Sequence, residues 1–293
     1  MEKLYNKLFN FKIKENDKIC VSKNGICSQL LLYLFYSSKK DLLLVYSSLN
    51  EATNIYNELK NYTDSVYIFP EDDFMTKSAL ATSPELLFLR LKLLTNISSE
   101  EKKIVIVHYN SFVKKLPSKN EYVDNKLIIK KGKIYNRELL TKKLIDIGYK
   151  RESLVMNTSE FAVRGFVVDI FPIHEDSPIR IELFDDEVES IKHFDGYTQL
   201  STDDNSLDSI EINALKDKFD KNCSSILEYL NEPLVAVNDI NEIKKVEKMM
   251  EPQINYLKIE NEIFKIKDNI KKNNIFINTI DNSDCDIKVI AKT

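Results

Sequence analysis

Between residues 161 and 194 three strand-like segments lie too close together for any helix to connect them, and this restricts the fold more than any other feature. The segments are Phe161–Pro172, Ile179–Phe184 and Val188–Phe194, separated by Glu175-Asp176-Ser177-Pro178 and by Asp185-Asp186. Parallel neighbours need a crossover of about a dozen residues or more, so these strands must form an antiparallel meander. The flanking sequence follows another rule. Apolar runs at Ile19–Ser22, Leu42–Tyr46, Val66–Phe69 and Ile104–His108 alternate with helical spacing over Ile26–Ser38, Leu49–Tyr62 and a segment opened by Ser83-Pro84-Glu85. That pattern is a parallel sheet with helical crossovers.

The short strand Lys126–Lys131 and the amphipathic helix Arg137–Ile147, closed by Gly148, belong with the meander. After the polar linker Ser201–Leu207 the α/β alternation returns. It comprises helix Leu215–Leu230, strand Leu234–Val237, helix Ile240–Met250, a Lys-bearing helix from Pro252 to Lys272, and strands Ile275–Ile280 and Ile287–Ala291. The expected fold class is therefore α/β. Residues 1–116 and 206–293 form one discontinuous parallel-sheet domain, and residues 117–205 form an inserted α+β antiparallel-sheet domain. A length of 293 residues suits two domains. The chain ends on a strand, which suggests the N-terminal piece of something longer.

Composition excludes several function classes. A net charge of -4 argues against a globally basic nucleic-acid binder. Four cysteines (Cys20, Cys27, Cys223, Cys285) without CxxC pairing or nearby His fit a reducing, cytoplasmic setting and neither a disulfide framework nor a zinc site. The longest apolar run, Leu30–Tyr36, is far too short to span a bilayer, so no membrane partner is expected. Only five of the 42 basic residues are Arg, and bidentate or interface contacts favour Arg.

The first strand-to-helix junction is where a nucleotide site would lie. Here Ser22, Lys23 and Gly25 form at most a degenerate nucleotide loop: a phosphate cradle needs Gly-x-x-x-x-Gly-Lys-Ser/Thr, and this junction has one Gly with the Lys ahead of it. Gly132-Lys133 is followed by Ile134 and reads as a turn. His108, His174 and His193 are dispersed and read as structural or surface residues, so no catalytic residue and no metal ligand is assigned. The lysines of Pro252–Lys272 are interleaved with Glu260, Glu262 and Asp268, as on a solvated face.

The informative strand is Ile179–Phe184. Period-2 alternation puts Ile179, Ile181 and Leu183 on the core face and Arg180, Glu182 and Phe184 on the other. An aromatic beside an Arg and a Glu is a composition typical of interface hot spots; a Phe184 folded under a neighbouring loop is the competing reading. From Phe166 to Asn205, eleven acids face only Arg180 and Lys192.

The stretch Phe161-Ala162-Val163-Arg164-Gly165-Phe166-Val167-Val168-Asp169-Ile170-Phe171-Pro172, then Pro178–Ile191 with its Arg180-Ile181-Glu182-Leu183-Phe184 strand, then Phe194-Asp195 and Thr198-Gln199, resembles the second domain shared by UvrB and the transcription-repair coupling factor (Mfd) family. Phe69-Pro70-Glu71 followed by Ala81-Thr82-Ser83-Pro84-Glu85-Leu86 and Arg90 is similar to the first domain of the coupling factors, as are the missing phosphate loop and the short Asp72–Thr82 segment, which leaves no room for UvrB's aromatic hairpin. The sequence departs from the family at Phe166, where a second Gly is commoner.

The resemblance implies a degenerate RecA/helicase-like domain and a UvrB-mimicking module that binds UvrA through Arg164, Arg180 and Phe184; Glu182 joins them on the alternating face. It implies no cofactor and no ATPase activity for this chain. ATP and Mg, RNA polymerase and DNA belong to further domains of the full-length family proteins, in which the UvrA-binding face is masked until polymerase is engaged. The expected function is recruitment of UvrA in transcription-coupled nucleotide excision repair. The alternatives are a nucleotide-dependent UvrB-like helicase fragment acting on damaged DNA, with ATP near Lys23, and a DNA-binding protein using the Lys-bearing helix.

Overall fold

A computed structural model describes residues 9, 11, 14, 17–21, 26–70, 84–124, 126–202, 206–215, 223–257, 274–279 and 285–289. In chain order the first elements are β1 (Lys18–Val21), α1 (Ile26–Ser37), β2 (Leu42–Tyr46), α2 (Leu49–Lys60), β3 (Val66–Ile68), α3 (Pro84–Ile97), β4 (Ile104–His108), α4 (Tyr109–Val113) and β5 (Leu116–Pro117). Next come α5 (Lys119–Asp124), β6 (Leu127–Lys130), α6 (Arg137–Asp146), β7 (Lys150–Arg151), β8 (Glu160–Arg164), β9 (Val167–Ile170), β10 (Ile179–Phe184), β11 (Glu187–His193) and β12 (Ser209–Ile212). The last are β13 (Cys223–Ser224), a 3-10 helix (Ile226–Tyr229), β14 (Leu234–Asn238), α7 (Ile240–Leu257), β15 (Asn274–Thr279) and β16 (Ile287–Val289). The chain divides into two units: residues 1–116 with 223–293, and residues 117–222.

The first unit is built on a seven-stranded sheet of order β16-β1-β15-β14-β2-β4-β3, parallel at each junction. β2 and β4 are buried along their whole lengths, which is why both read as unbroken apolar runs rather than alternating ones. α1 buries Leu30, Leu31, Leu34 and Phe35, and α2 turns Ala52, Ile55 and Leu59 inward. Ser48 caps α2 by accepting from the Glu51 N–H at 3.4 Å. His108 is structural as well: its Nδ1 accepts from the Asn110 N–H at 3.2 Å, capping α4, and its Nε2 lies 3.0 Å from the Ser47 carbonyl. Among the described residues, no helix is long and apolar enough to cross a membrane.

At the entrance to this sheet, Asp41 joins three strands. Its Oδ1 accepts from the Lys103 N–H (3.0 Å) ahead of β4, and its Oδ2 from the Asn231 N–H (2.8 Å) in the loop leading to β14. The Lys103 Nζ lies 3.7 Å from the same carboxylate, and both side chains are only 2% exposed.

The second unit holds a five-stranded sheet of order β11-β10-β9-β8-β7, antiparallel except for β7 beside β8, and a pair β12-β6. In β11, Val188 and Ile191 are both buried although an odd spacing should put them on opposite faces. A bulge reconciles them: Glu182 pairs with Ser190 but Leu183 with Val188, so Glu189 is stepped over. Gly148, just after α6, adopts φ 104°, and a Cβ there would meet the Leu215 Cβ at 3.1 Å. Gly148→Ala combines a backbone conformation closed to L side chains with that clash, and is expected to destabilise the second unit by about 1–3 kcal/mol, measured as a lower urea midpoint by circular dichroism.

Several sequence expectations are corrected. Phe161–Pro172 is two strands, β8 and β9, joined by a two-residue turn, because Gly165 takes φ 58° and reverses the chain. The expected helix Leu215–Leu230 is absent from its described residues, which form β13 and the 3-10 helix. β12, unforeseen, pairs with β6 and lies in the second unit, which reaches residue 222 rather than 205. α7 runs through Pro252 to Leu257 instead of breaking there; Pro252 and Lys248 are exposed, so water can satisfy the carbonyl that the proline leaves without a donor. The remainder of the Lys-bearing segment lies outside the described residues. Cys20 and Cys285, expected to be reduced, form a disulfide across a separation of 265 residues, since the chain returns to place β16 beside β1. Burial, with Glu58 and Glu51 nearby, pushes the free Cys27 thiol up to about 12.

Candidate functional site

The exposed side of β10 carries the residues singled out by alternation. Ile179, Ile181 and Leu183 are buried, Arg180 is partly buried, and Glu182 and Phe184 are exposed, Phe184 by 73%. Register sets what lies beside them. Arg180 pairs with Asp169 on β9, and Asp169 with Ala162 on β8, so Asp169 shares the face of Arg180 and of Arg164, two positions beyond Ala162.

The Asp169 side chain is 0% exposed and sits between the two arginines. Its Oδ1 accepts from the Arg180 Nε at 2.8 Å and its Oδ2 from the Arg180 Nη2 at 3.0 Å, a bidentate fork. Oδ2 also accepts from the Arg164 Nη2. Gln199 completes the cluster: its carbonyl accepts from the Arg180 Nη1 at 3.1 Å, and its Oε1 lies 3.4 Å from the Nη2 of each arginine. Gln199 adopts φ 60°, the left-handed region that a non-glycine residue avoids. Beneath Arg180 the buried Phe194 ring lies 4.5 Å from the guanidinium carbon. The hydrogen bonds that Arg180 donates to Asp169 raise its pKa above the ordinary value.

The two arginines therefore differ. Arg180 is 18% exposed and has its donors engaged within the unit, whereas Arg164 is 43% exposed and its Nε and Nη1 have no partner among the described residues. Asp169 offsets one of the two guanidinium charges and Glu182, on the same face, offsets the other, which leaves Arg164 as the available donor rather than a net positive centre. Glu182 is held on the same face by the Ser190 hydroxyl, which donates to it at 2.5 Å.

The far end of the strand is tied by Arg137. Its Nη1 donates to the Gly165 carbonyl at 2.8 Å, its Nε lies 3.4 Å from the Asp186 carboxylate, and its guanidinium carbon is 4.7 Å from the Phe166 ring centre. Phe166, where the family more often has Gly, occupies the second turn position, is 50% exposed, and accepts from the Leu183 N–H at 2.8 Å. The structure thus brings Arg164, Arg180 and Glu182 onto one face, with Phe184 at its end. Ser22, Lys23 and Gly25 lie outside the described residues.

Sequence reasoning missed Asp169, Gln199 and Arg137 as parts of this site. The signal for Asp169 was available: an acid inside the apolar strand Val167-Val168-Asp169-Ile170, at the parity of Arg180's neighbour. A cavity of about 700 Å³ beside α6, lined by Arg137, Lys142, Arg151 and Asp186 among others, includes none of the predicted residues. No three His, Cys, Asp or Glu converge on a metal-binding position among the described residues.

Residues 127–217 match the UvrB interaction domain family, and they contain the entire arginine cluster. The inserted unit is thus of the UvrB interaction class. Over 239 residues, 79% of this chain, it is 34% identical to the transcription-repair-coupling factor of Staphylococcus epidermidis, of which it covers 19%. The same protein of Staphylococcus aureus is 34% identical over 185 residues, 62% of this chain and 16% of the relative, and that of Staphylococcus haemolyticus 33% over the same span. The chain belongs to the transcription-repair-coupling factor family, corresponding to its UvrB-like N-terminal region. It spans about a fifth of the length of these relatives.

Proposed function

We propose that this chain is the UvrA-recruiting module of a transcription-repair-coupling factor, acting in transcription-coupled nucleotide excision repair through protein contact rather than catalysis. The observation that carries this reading is the face of β10. Arg164, Arg180, Glu182 and the exposed Phe184 stand together within the UvrB interaction domain, on an arginine pair fixed in advance by Asp169 and Gln199. A pre-ordered guanidinium pair costs less side-chain entropy on association than mobile lysines would. The unengaged donors of Arg164 suit a partner carboxylate, while Phe184 supplies apolar area.

On this reading the chain needs no cofactor and hydrolyses no ATP, because the Ser22-Lys23-Gly25 junction lacks the glycines that let backbone N–H groups approach phosphates. RNA polymerase, DNA, ATP and Mg are matters for the remainder of a full-length coupling factor, and the cytoplasm is where its partners are. Arg180→Glu combined with Phe184→Ala is expected to weaken UvrA binding at least a hundredfold, about 3 kcal/mol, in a calorimetric titration run at a temperature where circular dichroism shows the variant folded, because the reversed charge beside buried Asp169 also lowers its thermal midpoint. Wild-type affinity in the double variant sinks the proposal. ATP affinity that disappears in Lys23→Ala would favour the nucleotide-dependent helicase reading instead.

A further inference from the structure

The loop Asp195–Leu200 is built more firmly than a connection between sheet and linker needs to be. The Asp195 Oδ1 accepts from the Thr198 N–H at 2.7 Å, the Tyr197 N–H at 3.0 Å and the Thr198 hydroxyl at 3.0 Å. These bonds, the Thr198 N–H foremost, hold the Asp195 carboxyl below its ordinary pKa. The Asp195 N–H donates to the Leu200 carbonyl and the Gln199 N–H to the Asp195 carbonyl, both at 2.8 Å, closing the loop on itself. Gly196 seats it: a Cβ there would lie 3.5–3.7 Å from Val155, Met156 and Pro178.

On this rigid frame the side chains divide by role. Gln199, held left-handed, turns its carbonyl to Arg180 and its Oε1 to both arginines. Tyr197 and Leu200 bracket it and are 86% and 69% exposed, and Met156, beside Gly196, is 44% exposed. A loop needed only for turning the chain would be expected to carry small polar groups here. The Phe194 N–H bonds to the Pro178 carbonyl, which places the loop at the start of β10, while Phe184 ends that strand. Apolar side chains therefore occupy both ends of the strand that carries Arg180.

We infer that the Asp195–Leu200 loop is a second contact element of the docking surface, with Tyr197 and Leu200 as apolar anchors on the opposite side of the arginine pair from Phe184. The inference rests on the proposed function: its occupant is UvrA, presenting carboxylates to the arginines and an apolar recess to Tyr197 and Leu200. Continuity supports that single occupant, since Gln199 belongs to the loop and to the arginine cluster at once. Tyrosine is suited to the role because it brings a large rigid contact area with few torsions to freeze.

The test is titration of UvrA with the whole chain carrying Tyr197→Ser and Leu200→Ser, alongside Arg180→Glu/Phe184→Ala and the unaltered protein. Both loop side chains are mostly in solvent, so the thermal midpoint should not move, and Tyr197→Ala alone provides a milder variant. The expected result is a tenfold or greater loss of affinity for the double loop variant and a smaller loss for Tyr197→Ala. Unaltered affinity in both loop variants, while Arg180→Glu/Phe184→Ala no longer binds, overturns this inference and leaves the proposed function standing. Unaltered affinity in all three overturns that function itself. Sedimentation that shows a dimer dispersed by the loop substitutions, without effect on UvrA, assigns the loop to a second copy of the chain and also overturns the inference.

Discussion

Asp169→Ala should lower the stability of the second unit by about 3 kcal/mol and abolish the proposed UvrA binding together with it. The carboxylate is wholly buried and accepts three hydrogen bonds from two guanidinium groups. Removing one member of such a cluster strands the others: Arg180, only 18% exposed and stacked on buried Phe194, would keep its charge without its counter-ion. The cost falls below the upper range for buried pairs because Arg164 is 43% exposed and can turn to water. Asp169→Asn is the informative companion. It preserves volume and one acceptor oxygen but points amide hydrogens at a guanidinium, so it should recover part of the stability and little of the binding. Urea denaturation followed by circular dichroism measures the first quantity and calorimetric titration with UvrA the second. Equal stability for Asp169→Ala and the unaltered protein would show that the cluster is not what holds β8, β9 and β10 in register. Full stability with lost binding would make Asp169 a residue that positions the arginines and nothing more.

How far such a site can be foreseen depends on the range of the interactions that make it. β2 and β4 were legible because a buried parallel strand must be apolar on both faces, and the runs Leu42–Tyr46 and Ile104–His108 are unbroken. Alternation along Ile179–Phe184 likewise separated the core side chains from the displayed ones, since a strand's period is local. What depended on pairing was not legible. Asp169 was counted among eleven acids because its burial follows from the register between β9, β10 and β8, and register is not a property of any one segment. The hairpin at Gly165 was hidden because Phe166 follows it, which made the run look continuous. The Cys20–Cys285 bond depends on the final strand returning beside the first. β12 falls between the linker Ser201–Leu207 and the expected helix from Leu215 and belongs to no expected element, although Ser-Ile-Glu-Ile alternates as an edge strand should.

The largest effect in the first unit is expected at Asp41, which no functional argument touches. Asp41→Ala should cost about 3–5 kcal/mol, because three groups lose their acceptor at once in a place water does not reach. The Lys103 ammonium, 2% exposed, still donates to the Ser99 carbonyl at 2.5 Å, but that neutral oxygen does not replace the carboxylate charge. The N–H groups of Lys103 and Asn231 are left with nothing where the carboxylate stood. The backbone around Asp41 links the same elements: the Leu42 N–H bonds to the Lys103 carbonyl at 3.0 Å, and the Leu234 N–H to the Asp41 carbonyl at 2.9 Å. Damage should therefore spread to the starts of β2, β4 and β14, and hydrogen exchange followed by mass spectrometry should show faster exchange there. The second unit should keep its protection, and UvrA binding should persist at temperatures where the first unit has begun to open. A loss of protection in β8–β10 equal to that in β2 and β4 would instead mean that the two units unfold as one cooperative body. Asp41→Asn separates the two contributions, since the amide oxygen can still accept one N–H while the charge opposite Lys103 is gone. If the asparagine variant is as unstable as the alanine one, the ion pair rather than the strand-joining hydrogen bonds carries the stabilisation.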